Sequence, residues 1–374
     1  SRLAQTLRLS LHSANEAHCD PHVHGVDLRM MEGPWRRPAL CAAAFLAGCT
    51  AAHAVTPRFI FASSPTTHNV VWAELPTFGD LSGYANPVKE ASVLIDGAAT
   101  KCTGSSCTEA SDQGLKTPQG LAVYQGDPYT ATLYVSDVEA QNIYAYTLTV
   151  TEAVGIFAAQ PQASNQVKVR EGVAAQWIAV DGYGHLFYTA NGQVEMLSQQ
   201  NMTASAQQGT RAEPVVLYDS KSTQALAGPA GIAADNFYLY WANQQGDGAA
   251  GTVARAPERP AAAQRHPPAA VTQMTDQYQV VAANVCLARD NVFFTGETSS
   301  LFAVKTTGGA IAEVNSNFTK PHGCVYDEES TLYVADEGAN AIFALPANFV
   351  NLRTISQVTK FTTVNAPSQL AVFS

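Results

Sequence analysis

The chain has 374 residues, with 21 Lys and Arg against 31 Asp and Glu for a formal net charge of −10, 46% hydrophobic residues and only 14% charged ones. That balance suits a well-buried globular domain and argues against disorder. An acidic chain without a long basic run excludes a nucleic-acid partner, because a phosphate backbone calls for clustered Lys and Arg.

Residues 1–29 show no convincing periodicity and hold four of the nine histidines. They read as an unstructured extension or translated leader, with a metal-binding tract at His18, Cys19, His22 and His24 as the competing reading. Residues 30–54 have the marks of a secretory signal: Arg36 and Arg37, a short apolar run from Pro38 to Gly48, and the small-residue site Ala52-His53-Ala54. The apolar run is too short to span a bilayer. Leu46-Ala47-Gly48-Cys49 also resembles a bacterial lipoprotein box, which would place a lipid anchor on Cys49. The expected location is secreted, or a secretory or periplasmic lumen, with lipid anchoring as the alternative.

Residues 55–374 carry a line that recurs six times, about 40–60 residues apart. Its copies begin Pro118-Gln119-Gly120-Leu121, Gln176-Trp177-Ile178, Pro229-Ala230-Gly231-Ile232, Ala283-Asn284-Val285-Cys286, Pro321-His322-Gly323-Cys324 and Pro367-Ser368-Gln369-Leu370. Each of the first five is followed by an aromatic β run: Leu133-Tyr134-Val135-Ser136-Asp137, Leu186-Phe187-Tyr188-Thr189-Ala190-Asn191, Leu239-Tyr240-Trp241-Ala242-Asn243, Val292-Phe293-Phe294-Thr295-Gly296-Glu297 and Leu332-Tyr333-Val334-Ala335-Asp336. A unit of this length made only of short strands is a propeller blade, with the recurring line as inner strand A and the aromatic run as strand B. Phe59-Ile60-Phe61 has no A line before it, and the sixth A line has nothing after it. The expected fold is therefore all-β, a six-bladed propeller whose first blade is closed by the C-terminal strand, leaving no open edge around the ring. Residues 97–117 and 256–270, rich in small residues or in proline, read as excursions between blades.

Of seven cysteines, Cys102, Cys107, Cys286 and Cys324 fall in the repeat region. Cys102 and Cys107 flank a four-residue loop and are expected to pair in an oxidising compartment. Cys286 and Cys324 fall in neighbouring A lines. Their positions there are equivalent, which brings them close but points them the same way around the ring, so two free core cysteines compete with a bridge.

The A and B lines together resemble the NHL and YWTD families of six-bladed propellers, the TolB-like architecture. Pro118 to Val123 with Tyr134 to Asp137 is NHL-like, and Leu239-Tyr240-Trp241-Ala242-Asn243 is similar to YWTD. The resemblance implies that the starts of strands A and the ends of strands B share one face. It thereby gathers Gln119, Gln176, Ala230, Asn284, His322 and Ser368 with Asp137, Asn191, Asn243, Glu297 and Asp336 on a polar rim. Two roles compete for these residues. Asp or Asn at the end of strand B can bind backbone amides and lock blades, or Asp137, Glu297 and Asp336 can supply oxygens to calcium, as in regucalcin-like and gluconolactonase-like hydrolases. His322 is similar to a histidine of the peptide-amidating lyase propellers, but zinc needs three or four such ligands and the corresponding positions hold Gln, Ala, Asn or Ser. No G-x-S-x-G elbow or phosphate loop occurs. The leading expectation is an exported, non-catalytic scaffold whose rim binds a protein or glycan. A calcium-dependent hydrolase of the gluconolactonase or strictosidine-synthase-like kind is the alternative.

Overall fold

A computed structural model describes residues 57–76, 90–97, 114–151, 159–208, 211–221, 226–244, 251–259, 271–275 and 282–374. The metal tract at His18 to His24, the signal, Cys49 and the Cys102–Cys107 pair lie outside the described residues.

The strands fall into four-stranded antiparallel sheets in chain order. Blade one contains β1 (Phe59–Ser64), β2 (Asn69–Glu74) and β3 (Ser92–Asp96). Blade two is β4 (Pro118–Gln125), β5 (Thr130–Asp137), β6 (Asn142–Thr151) and β7 (Gln160–Glu171). Blade three is β8 (Trp177–Val180), β9 (Leu186–Ala190), β10 (Gln193–Leu197) and β11 (Val215–Asp219), with helix α1 (Gln199–Gln208) between its last two strands. Blade four is β12 (Pro229–Ala234), β13 (Tyr238–Asn243), β14 (Thr252–Pro257) and β15 (Thr272–Gln273). Blade five is β16 (Ala282–Ala288), β17 (Asn291–Gly296), β18 (Leu301–Lys305) and β19 (Ala312–Asn315). Blade six is β20 (Pro321–Tyr326), β21 (Thr331–Asp336), β22 (Ala341–Pro346) and β23 (Thr359–Thr363). Last comes β24 (Leu370–Phe373), which pairs with β1 and so completes blade one in the order β24-β1-β2-β3. The six-bladed all-β ring read from the repeats is thus the fold.

The aromatic runs form strands because each blade is sandwiched between two others. Both faces of strand B are then buried, and it reads as a continuous apolar run rather than an alternating one. All six residues of β1 and all six of β17 are buried. Trp241, Tyr188, Tyr240, Tyr333, Phe187 and Phe293 are among the largest side chains with almost no exposure.

The ring closes through several bonds. Ser63 N donates to Gln369 O at 3.0 Å and Ser368 N to Ser63 O at 2.9 Å. Arg58, just before β1, reaches the turn of blade six. It donates to Asp327 O at 2.7 Å and to Glu329 Oε2 at 2.8 Å.

Strand pairing sets the register between repeats. Strand A carries a bulge near its start in blades two, four, five and six. Aligned through the ladder, Leu121 opposite Val135 corresponds to Ile178, Ile232, Val285, Cys324 and Leu370. Cys286 therefore sits one residue further along its strand than Cys324 does. Strand side chains alternate in direction, so a one-residue offset turns two like-facing residues into facing ones. The expected equivalence of the two positions is corrected accordingly, and of the two open readings the bridge holds: Cys286 and Cys324 form a disulfide, with Cα atoms 5.7 Å apart, between β16 and β20.

Candidate functional site at the channel mouth

The ends of strand B divide by register. Asp137, Asn243 and Asp336 occupy one position, each almost wholly buried. Asp137 accepts from Lys116 N (2.6 Å), Thr117 N (3.0 Å) and Ala140 N (3.0 Å). Asp336 repeats the pattern with Thr319 N (2.7 Å), Lys320 N (2.8 Å) and Ala339 N (3.1 Å). Asn243 Oδ1 accepts from Ala227 N and Trp241 Nε1, both at 3.1 Å. The first amides in each set belong to the segment leading into strand A of the same blade. These residues therefore close their own blade's corner rather than clamping the next one.

Asn191 and Glu297 were expected at this position and fall one residue beyond it. Ala190 and Gly296 hold the corners of blades three and five, since they pair with Gln193 and Ala282. Asn191 and Gly192 form a two-residue hairpin turn with φ of 53° and 73°, a conformation that favours this Asn-Gly pair. Glu297 is exposed. Among the described residues no group of three or more His, Cys, Asp or Glu side chains is arranged to hold a metal. Asp137 and Asp336 have both carboxylate oxygens engaged by amides, so with Glu297 they do not fit a calcium cage.

Contacts between blades come from a position one residue inward, which the sequence reading passed over. Ser63 Oγ donates to Gln119 O at 2.5 Å, Thr189 Oγ1 to Ala230 O at 2.7 Å and Thr295 Oγ1 to His322 O at 2.5 Å. In each case a strand B hydroxyl holds the start of strand A in the following blade. The signal was the Ser or Thr before the corner residue, present in four of the six runs: Ser63, Ser136, Thr189 and Thr295.

One layer into the ring, small and large residues alternate. Gly120, Gly231 and Gly323 belong to blades two, four and six, and Trp177, Asn284 and Gln369 to blades three, five and one. A Cβ on Gly231 would lie 2.3 Å from Asn284 Cα, and one on Gly323 2.4 Å from Ser368 O, so only glycine fits beside the larger neighbour. Asn284 thus belongs to this layer and not beside Gln119, as expected. Gln369 Oε1 accepts from Leu121 N at 3.3 Å. Asn284 Oδ1 accepts from Val285 N at 2.8 Å, which identifies its other end as the NH2 group. That Nδ2 and the indole Nε1 of Trp177 are buried donors without a partner.

At the rim, His322 and Ser368 come from the adjoining starts of β20 and the segment before β24. His322 Nδ1 is 3.4 Å from Ser368 Oγ. Burial pushes the imidazole below its ordinary value of 6.5, outweighing the upward pull of Glu337. At neutral pH the ring is therefore neutral. Of the other expected rim residues, Gln119 is half-buried and Gln176 exposed.

No family model and no curated protein matches the chain. Solved structures with a similar fold include virginiamycin B lyase from Staphylococcus aureus, at 12% identity over 67% of this chain and 73% of that one, TM-score 0.42. A gluconolactonase from Xanthomonas campestris is similar at 11% identity over 67% and 78%, TM-score 0.45. The calcium-binding protein regucalcin from Agrobacterium tumefaciens is similar at 13% identity over 68% and 77%, TM-score 0.43. The leading expectation of a non-catalytic scaffold is corrected beside them: it rested on a complete ring without a familiar catalytic motif, and this fold by itself does not speak against catalysis.

Proposed function

We propose that the chain is a hydrolytic enzyme acting at the channel mouth on a carbonyl substrate of the ester or lactone type, with His322 as general base. The observation that carries this is the His322–Ser368 pair. A histidine kept neutral by burial has its Nδ1 3.4 Å from Ser368 Oγ, and in the tautomer whose Nδ1–H donates to Ser368 the lone pair lies on Nε2. Nε2 removes a proton from a water molecule, and the resulting hydroxide adds to the carbonyl carbon. The imidazolium then returns the proton to the departing alcohol oxygen. The His322 carbonyl is fixed by Thr295 and its neighbour Gly323 donates to Ser368 O at 2.8 Å, so the backbone carrying the base is anchored on both sides.

The test is hydrolysis of a panel of aryl esters and sugar lactones by purified protein, with and without chelator. Activity is expected with an acid limb below pH 6.5, because the base must lose its proton and its value lies under the ordinary one. His322→Ala should fold normally and lose at least about a hundredfold in kcat/KM, the usual scale of a general base. Absence of hydrolysis across the panel, or an unaffected His322→Ala protein, would overturn the reading.

A further inference from the structure

At the opposite face, the A–B turns of blades three and four are tied together, with Gly182 N donating to Asn236 Oδ1 at 2.6 Å. Asp181 follows β8, and its Oδ1 accepts from Tyr183 N (3.0 Å) and His185 N (2.7 Å). Asp235 plays the same turn role in blade four, accepting from Phe237 N and Tyr238 N, and so does Asp327 in blade six. Glu258 is different, being a single acidic residue just after β14. Its backbone N donates to Phe237 O at 2.9 Å. Its side chain is 1% exposed, and neither carboxylate oxygen receives a hydrogen bond from a donor.

The fully buried carboxyl of Asp181 lies against that of Glu258. Among the described residues the cation touching the pair is Arg259, half exposed, with Nη2 3.3 Å from Asp181 Oδ2 and Nε 3.6 Å from Glu258 Oε1. Its guanidinium rests on the exposed ring of Tyr183 at 4.3 Å. The other charged and titratable neighbours do not neutralise the pair. Asp235 adds negative charge and is bonded by Tyr240 at 2.8 Å, with Arg255 on the Tyr240 side. His185 is held neutral by burial, with Nδ1 accepting from Gln199 N at 3.0 Å. Two buried carboxylates against one half-solvated guanidinium leave an uncompensated charge, which is costly in the interior. A proton between the two carboxyls removes it and lets one carboxyl donate to the other.

We propose that Asp181 and Glu258 form a proton-held clasp between blades three and four, closed while Glu258 carries a proton that it donates to the Asp181 carboxylate and loosened when that proton leaves. The direction of the effect follows from the titration. Burial first, and the Asp181 contact second, push the Glu258 carboxyl up from 4.5 to about 8. Between these values the native state holds a proton that the unfolded chain has released, so stability falls as pH rises through that window.

Chemical unfolding of the full chain and of Glu258→Gln, at about pH 5 and about pH 8.5, tests the clasp. Glutamine keeps the shape, can donate to Asp181 and carries no charge at either pH. The two proteins should match at the acid end. At the alkaline end the wild-type unfolding constant should exceed the variant's by at least about tenfold, a fraction of what the full shift allows. Hydrogen exchange at 182–184 and 236–238, compared between the two proteins at one pH, should show the excess opening there. Asp181→Asn retains an acceptor for the turn and removes the neighbouring charge that pushes the Glu258 carboxyl up, so its stability loss should end at a lower pH than in wild type and be smaller overall. Parallel pH profiles for wild type and Glu258→Gln would overturn the clasp. If Glu258→Gln fails to fold, an unshifted window in Asp181→Asn would overturn it and a shifted one would support it.

Discussion

The corners of blades two and six can be set against those of blades three and five. In the first pair a buried aspartate gathers three backbone amides, at Asp137 and again at Asp336. In the second pair the same position holds Ala190 and Gly296, which accept nothing through a side chain. The ring survives this asymmetry because other devices stand in. Blade three turns through a tight Asn191-Gly192 hairpin, and blade five is bridged to blade six by Cys286–Cys324 and by the Thr295 hydroxyl. Polar residues that keep the register of the repeat serve the scaffold. Those that break it, among them Glu297 and Asn284, are released from that duty.

Three measurements sharpen this contrast. Replacing Cys286 and Cys324 together by Ala should have the largest effect, because the bond closes a loop with a sequence separation of 38 residues. The chain-entropy account puts that at about 4 kcal/mol, read as a lower urea midpoint that matches reduced wild-type protein. An unchanged midpoint would mean that blade five does not depend on the bridge. Next comes Asp336→Ala, which strips three amides of a charged acceptor and should cost about 3 kcal/mol, against under about 0.5 kcal/mol for Glu297→Ala. Equal losses would erase the distinction between the two positions. The smallest effect is expected for Thr295→Val, about 1 kcal/mol, since one neutral hydrogen bond to the His322 carbonyl is removed at nearly constant shape.

The architecture was legible because strand B is buried on both sides and its aromatic run cannot be mistaken at five sites. Closure of blade one was legible too, from an A line without a B run and a B run without an A line. Register was harder. Blade five begins with Ala282-Ala283 where four other blades have a proline, so the line slid by one residue, and Asn284, Cys286 and Glu297 slid with it. Period-two structure magnifies such a slip, since each side chain changes face. Asp181 and Glu258 escaped notice for another reason. Their meeting depends on packing between two blades, 77 residues apart by number (258 − 181), and Glu258 repeats nowhere in the other blades. His322 was singled out from the sequence, but not its partner relation to Ser368, which requires the ring to be closed.

That closure has a consequence for how the protein is made. Ser63 and Gln369, bonded in the finished ring, are separated by 306 positions in the chain. At synthesis rates of about 5–20 residues per second, β1 would wait roughly 15–60 s for the strand that covers it. Throughout that interval a row of unsatisfied amides and carbonyls on Phe59–Ser64 stands ready to pair with any passing strand, including that of another nascent copy. The ring is therefore open to mispairing until its last strand is synthesised, and a helper protein that shields β1 during translation should raise its yield.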